Sequence, residues 1–144
     1  DTSKIAWAKM TVNFILSIII ISLSFFLFRL VLPVFPRDQI WYLYLFVILV
    51  NGGHIVWSFQ LNIMNPKLSE YASTGSFSGN SNINQSISIG FVLSLLFGAL
   101  SAILFIFFRD FAWPIMLGIA TIFILVRFYL FNEFLKAYFM DIEL

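Results

Sequence analysis

Residues 87–108 read ISIGFVLSLLFGALSAILFIFF, an apolar stretch that contains no charged side chain. A hydrocarbon core of about 30 Å is crossed by roughly 20 residues of α-helix. A soluble protein can bury one such helix in its core, but this chain repeats the pattern. The stretch therefore predicts a helix that crosses a membrane.

Three further apolar blocks of similar length complete the pattern. The four predicted helices cover residues 12–32, 40–64, 87–108 and 111–131. Hydrophobic residues make up 61% of the 144 residues and charged residues only 10%, whereas soluble domains carry about 25% charged residues. The sequence thus predicts an all-α integral membrane bundle, with residues 1–144 forming a single transmembrane domain.

Short connections set the predicted topology. Pro33 and Pro36 end the first block, and Arg109 with Asp110 separates the third block from the fourth. Links this short predict two antiparallel hairpins of helices. Residues 1–11 are predicted as a polar lead, and residues 65–86, rich in Asn, Ser and Gly, as the one sizeable loop.

Four spans place both termini and the loop 65–86 on one side of this multi-pass membrane protein. The basic residues assigned to that side are Lys4, Lys9, Lys67, Arg127 and Lys136. Those on the other side are Arg29, Arg37 and Arg109. The excess of positive charge favours the cytoplasm, or an organellar matrix, for the termini and the loop.

Polar side chains recur on one face of the second block. They are Asn51, His54, Ser58 and Asn62. Intervals of three and four residues place side chains on the same helix face. Polar groups at membrane depth are costly and often mark functional positions. This face is predicted to contact protein or water, and His54 is its candidate for binding a cofactor or a quinone, or for carrying a proton.

Arg127 of the fourth block completes the predicted polar intramembrane face. At a rise of about 1.5 Å per residue it lies at the depth of His54, and Asn13 and Ser17 reach the same layer from the first block. A single cluster of these side chains is geometrically possible. The alternative is hydrogen bonding between helices, at about 0.6–2 kcal/mol per bond, with the Arg127 side chain extended towards the interface.

Small residues spaced four apart form a ridge on the third block. They are Gly90, Ser94, Gly98 and Ala102. Rows of this kind let two helices approach closely in a membrane. The ridge is predicted to pack against another helix, either of this chain or of a second subunit.

The sequence lacks the residues that many reactions require. It has no cysteine and His54 is its only histidine, which excludes thiolate chemistry and a haem held by two histidines of this chain. No catalytic residue, metal-ligand set or run of basic residues for nucleic acid is predicted. No cofactor is evident, and lipid is the expected bound molecule.

We therefore interpret the chain first as a structural subunit of a larger membrane complex, energy-transducing or transport, without catalysis of its own. The bilayer and other membrane subunits are then its partners. A second interpretation is the membrane part of a transporter, with the loop 65–86 touching a cytoplasmic partner. A third is a subunit that holds a cofactor or quinone through His54. The start at Asp1 is expected of a processed protein or of a piece of a longer one.

Overall fold

Four α-helices account for nearly all of the described chain, which comprises residues 2–31, 36, 39–64 and 81–140 of a computed structural model. They are α1 (Thr2–Val31), α2 (Gln39–Met64), α3 (Ser81–Phe107) and α4 (Ala112–Met140). Each contains a stretch long and apolar enough to cross a membrane. The predicted all-α bundle of four transmembrane helices is confirmed over these residues.

The helix boundaries differ from the prediction because the helices continue beyond their apolar blocks. α1 begins at Thr2, so residues 2–11 are helical and not a separate polar lead. α3 begins at Ser81, so residues 81–86 of the predicted loop are helical, while residues 65–80 lie outside the described part. α4 continues to Met140 instead of ending at residue 131. Hydropathy marks the part of a helix that lies in lipid, whereas backbone hydrogen bonds extend the helix into the polar region.

α2 and α4 form the central pair of the bundle, and they run parallel to each other. Their contact is the most extensive between any two helices of the described structure. It depends on Gly53, because a Cβ atom there would overlap the Phe123 ring. At Gly52 a Cβ atom would lie 2.6 Å from the Phe14 ring and 2.7 Å from Ile124. The two glycines thus let α1 and α4 approach α2 closely.

Two apolar clusters hold the bundle together, one at each end. The cluster near the start of α1 contains Ala6, Met10, Val56, Phe131 and Leu135. The cluster near the α3–α4 turn contains Phe46, Leu104, Ala112, Met116 and Ala120. Both clusters draw residues from α2 and α4, which therefore form the core.

α1 and α3 lie at the outside of the bundle. In α1, none of the apolar stretch of 18 residues that could cross the membrane is buried within the chain. In α3, only 11% of the corresponding stretch is buried. The exposed apolar side chains of these helices therefore face lipid or another protein. Near the short connections, Tyr42 stacks on Trp113 at 5.8 Å and Trp41 meets Tyr44 edge-on at 6.1 Å, an aromatic group typical of a membrane interface.

Candidate functional site

The polar side chains of α2 divide between two neighbouring helices. Asn51 donates a hydrogen bond to Ser17 of α1 at 2.5 Å, whereas His54 and Ser58 contact Ser86 of α3. A step of three residues rotates the side chain by about 60° around the helix. That rotation is enough to direct Asn51 towards one neighbour and His54 towards the other.

The remaining polar residues of the hypothesised cluster lie elsewhere. Arg127 meets Gln60 and not His54, and Asn13 and Asn62 are exposed. The structure therefore brings together Ser17 with Asn51, and His54 with Ser58, in separate groups.

His54 binds the backbone of α3 through its ring. Its Nε2 atom lies 2.9 Å from the carbonyl oxygen of Ser86 and 3.2 Å from Ser58 Oγ. The two serine hydroxyls are 2.6 Å apart and complete the group. Gly90 makes this contact possible, because a Cβ atom there would lie 3.1 Å from both Cε1 and Nε2 of the ring.

The hydrogen bond to Ser86 decides what His54 can do chemically. A carbonyl oxygen only accepts, so in the neutral imidazole the proton lies on Nε2. A general base must offer a lone pair to the hydroxyl that it activates. Nε2 therefore cannot take a proton from Ser58 in this arrangement, and the pair does not form an activated nucleophile. In the described residues, no three His, Asp or Glu side chains lie close enough to hold a metal ion.

Arg127 forms a separate polar group between α2 and α4. Its side chain is only 9% exposed. Nη2 donates to Gln60 Oε1 at 3.0 Å, and Cζ lies 4.3 Å from the centre of the Trp57 ring. The guanidinium is thus enclosed by the bundle, with its partners on α2.

A groove of about 510 Å³ runs between α2 and α3 beside the His54 group. Asn51 and His54 line it from α2, and Gly90, Ser94 and Gly98 line it from α3. The Ser94 hydroxyl donates to the carbonyl of Gly90 at 2.8 Å, so it is satisfied within its own helix. The groove is therefore lined by apolar and small side chains, with two polar groups on its α2 side.

The small-residue ridge of α3 is only partly used inside the chain. Gly90 contacts His54, but among the described residues no neighbouring side chain or helix has an atom within 4 Å of a Cβ position at Gly98. Ser94 and Ala102 are exposed. No described helix of this chain covers the ridge beyond Gly90.

Sequence reasoning missed three residues of these groups. Ser86 was assigned to the loop because its neighbours are Asn, Gln and Ser. Gln60 and Trp57 were not considered, although both lie in the second apolar block. A polar side chain within an apolar block was the available signal for Gln60, since such a group needs a partner.

The four described helices establish the structural class of the protein. Four apolar helices fit an integral membrane protein that crosses the bilayer several times. Hydrogen bonds between polar side chains join α2 to each of the other three helices. Comparison with known proteins finds no matching family model, no matching curated protein and no matching solved structure.

Proposed function

We propose that the chain is a structural subunit of a larger membrane complex, in which a transmembrane helix of another subunit packs into the groove between α2 and α3. The observation that carries this proposal is the open ridge of α3. Within the described part of the chain, no neighbouring atom lies within 4 Å of a Cβ atom built at Gly98, and Ser94 and Ala102 beside it are exposed. Small residues bring helices together in membranes, and here no helix of the described chain uses them.

The polar wall of the groove also favours a protein occupant. Asn51 and His54 line the groove at membrane depth and are only partly buried. Lipid tails offer no hydrogen bonds, so polar groups facing them are costly. Asn51 already binds Ser17 and His54 binds Ser86, and a polar side chain on a partner helix at this level adds further hydrogen bonds to them at about 0.6–2 kcal/mol per bond.

The chemistry of the His54 group supports a role without catalysis. Ser58 has no base beside it while Nε2 of His54 donates to Ser86. The hydrogen bonds of this group join α2 to α3, which gives it a structural role. A subunit that supplies packing surface needs no further machinery.

Replacing Gly98 by leucine is expected to release the partner subunit. The leucine side chain enters the groove, and in the described residues no neighbouring atom lies within 4 Å of its Cβ position. The complex extracted in mild detergent should therefore fall to a smaller size on a native gel, while the variant itself stays helical. Gly118→Leu is the matched control, because Gly118 of α4 is also open and lies outside the groove. A Gly98→Leu complex of unchanged size would contradict the proposal.

We also infer that the ends of α1 and α4 near Trp7 and Phe131 lie on the cytoplasmic side, or on the equivalent organellar side. Lys4, Lys9 and Lys136 lie at that end, and Arg29 and Arg109 at the other. Cytoplasmic segments are richer in Lys and Arg than those on the opposite side. The surplus of basic side chains supports this orientation.

Single cysteines test the orientation, since the chain has none of its own. Asp110→Cys and Ala137→Cys place a thiol at opposite ends, both at exposed positions. In sealed cells, an impermeant maleimide should label Asp110→Cys, and label Ala137→Cys only after the membrane is opened. The reverse labelling pattern would contradict the proposed orientation and support the opposite one.

A further inference from the structure

A cavity of about 270 Å³ lies between α1 and α2, at the end of the bundle where α1 finishes and α2 begins. Its walls are mostly apolar and aromatic, with Phe25 on α1 and Ile40 on α2. Arg29 of α1 and Trp41 of α2 also line it. Small-molecule pockets in proteins measure about 300–1,000 Å³, so this cavity suits one part of a larger amphipathic molecule.

The spacing of the lining residues places them on the facing sides of the two helices. Ser22, Phe25 and Arg29 follow one another at intervals of three and four residues, so they share one face of α1. Trp41 and Tyr44 share one face of α2 in the same way. Arg29 lies two residues before the end of α1, and Trp41 two residues after the start of α2. The rim of the cavity, near the membrane interface, therefore carries a guanidinium and an indole.

The two hydroxyl groups at the inner end of the cavity are already engaged. Ser22 donates its proton to the carbonyl oxygen of Ile18 at 2.7 Å. The Tyr44 hydroxyl lies 2.7 Å from Ser22 Oγ and is therefore the donor of that bond. Ser22 lies seven residues before Arg29, which is about 10 Å along the helix. The cavity thus changes from a charged rim to an apolar inner end, as a phospholipid changes from head group to acyl chain.

Arg29 brings a positive charge to the rim. Its side chain is exposed, and no carboxylate of the described residues forms an ion pair with it. A guanidinium presents its N–H groups in a planar fork that matches two oxygens of a phosphate. Indole side chains favour the same head-group level of the bilayer. Trp41 is 64% exposed, so the rim is accessible to a lipid beside the bundle.

We propose that this cavity binds an anionic membrane phospholipid, with its phosphate on Arg29 and one acyl chain against Phe25 and Ile40. Charge complementarity at the rim favours the head group, and the apolar wall below it favours the chain. The outer position of α1 in the bundle gives lipid access to the site. The groove that the proposed function assigns to a partner helix lies between α2 and α3, so the lipid site requires no partner subunit.

Lipid-dependent stabilisation of the full chain tests this site. The probe is dioctanoyl phosphatidylglycerol, titrated in uncharged detergent while the thermal unfolding midpoint is recorded; a ligand that binds the folded state raises the midpoint. Arg29→Gln should weaken the apparent lipid affinity about fivefold, the contribution of one basic side chain at an anionic membrane surface. Arg109→Gln is the matched control and should alter the affinity less than about twofold, because Arg109 is exposed but lies outside the cavity.

Two results with these variants would overturn the proposal. The first is an equal affinity of the wild type and Arg29→Gln for the phospholipid. The second is an equal loss of affinity in Arg29→Gln and Arg109→Gln, which would indicate attraction of the lipid to any surface charge.

Three further ligands separate the parts of the lipid in the same titration. Dioctanoylglycerol keeps the chains without the phosphate, dioctanoyl phosphatidylcholine keeps the phosphate without net charge, and inorganic phosphate has no chain. Each should stabilise the wild type less than phosphatidylglycerol does. Equal stabilisation by the first would exclude the phosphate contact, and by the second the preference for an anionic lipid. Equal stabilisation by inorganic phosphate would assign the site to a soluble anion and overturn the lipid assignment.

Discussion

Leucine at position 53 is expected to separate α2 from α4 and to lower the free energy of unfolding by about 3 kcal/mol, the upper part of the range for overpacked interiors. The Cβ atom alone of a side chain at position 53 would overlap the Phe123 ring. The ring has little room to move, because it meets Phe97 edge-on at 5.6 Å and Phe97 meets Phe46 in the same way. The added side chain must therefore displace a helix.

Gly118→Leu provides the control for Gly53→Leu. Both changes gain the same helix propensity, since each replaces glycine within a helix. At Gly118 no neighbouring atom of the residues that the structure describes lies within 4 Å of the new Cβ. In unfolding titrations with sodium dodecyl sulfate, the free energy of unfolding should be much lower for Gly53→Leu than for the wild type. Gly118→Leu should leave it unchanged. Equal stability of the two variants would contradict the close contact of α2 with α4.

Truncation of Phe131 to alanine is expected to cost about 2–3 kcal/mol. The side chain is 0% exposed and its ring meets Trp7 of α1 at 5.2 Å and Phe59 of α2 at 6.1 Å. Phe→Ala changes in soluble cores cost about 3–5 kcal/mol, which includes transfer from water. In a bilayer the alternative surroundings are lipid, so mainly the lost packing contributes.

Phe26→Ala is the matched control for Phe131→Ala. Phe26 is 61% exposed on α1, so its truncation exchanges one lipid contact for another. In the same detergent titration, Phe26→Ala should unfold at the wild-type midpoint. Phe131→Ala should unfold at a lower detergent concentration. If both variants unfold together with the wild type, the cluster around Phe131 does not stabilise the bundle.

The number and type of helices could be predicted because lipid imposes them. A chain in hydrocarbon must satisfy its backbone within each helix, and it needs about 20 apolar residues to cross. Those two requirements appear directly in the sequence. Ser81 and the residues after it were misassigned because polar composition was read as loop, although a helix can begin in the polar region and continue into lipid.

The faces that pack together could not be predicted in the same way. Lipid is as apolar as a leucine side chain, so a buried face and a lipid-facing one have similar composition. Only small residues distinguish them, and Gly52 and Gly53 mark the close contacts of α2 with α1 and α4. Arg127 had two interpretations from the sequence, a member of the polar face or a side chain extended towards the interface, and neither named Gln60 and Trp57 as its partners.

The central position of α2 has a consequence for how the protein is made. The Gln60–Arg127 hydrogen bond joins residues 67 positions apart, and both apolar clusters need side chains from α4. The ribosome delivers α2 long before α4, and chains fold as they are synthesised. A nascent chain with three inserted helices therefore lacks α4. Both apolar clusters form only in a late step, when α4 enters the bilayer beside α2.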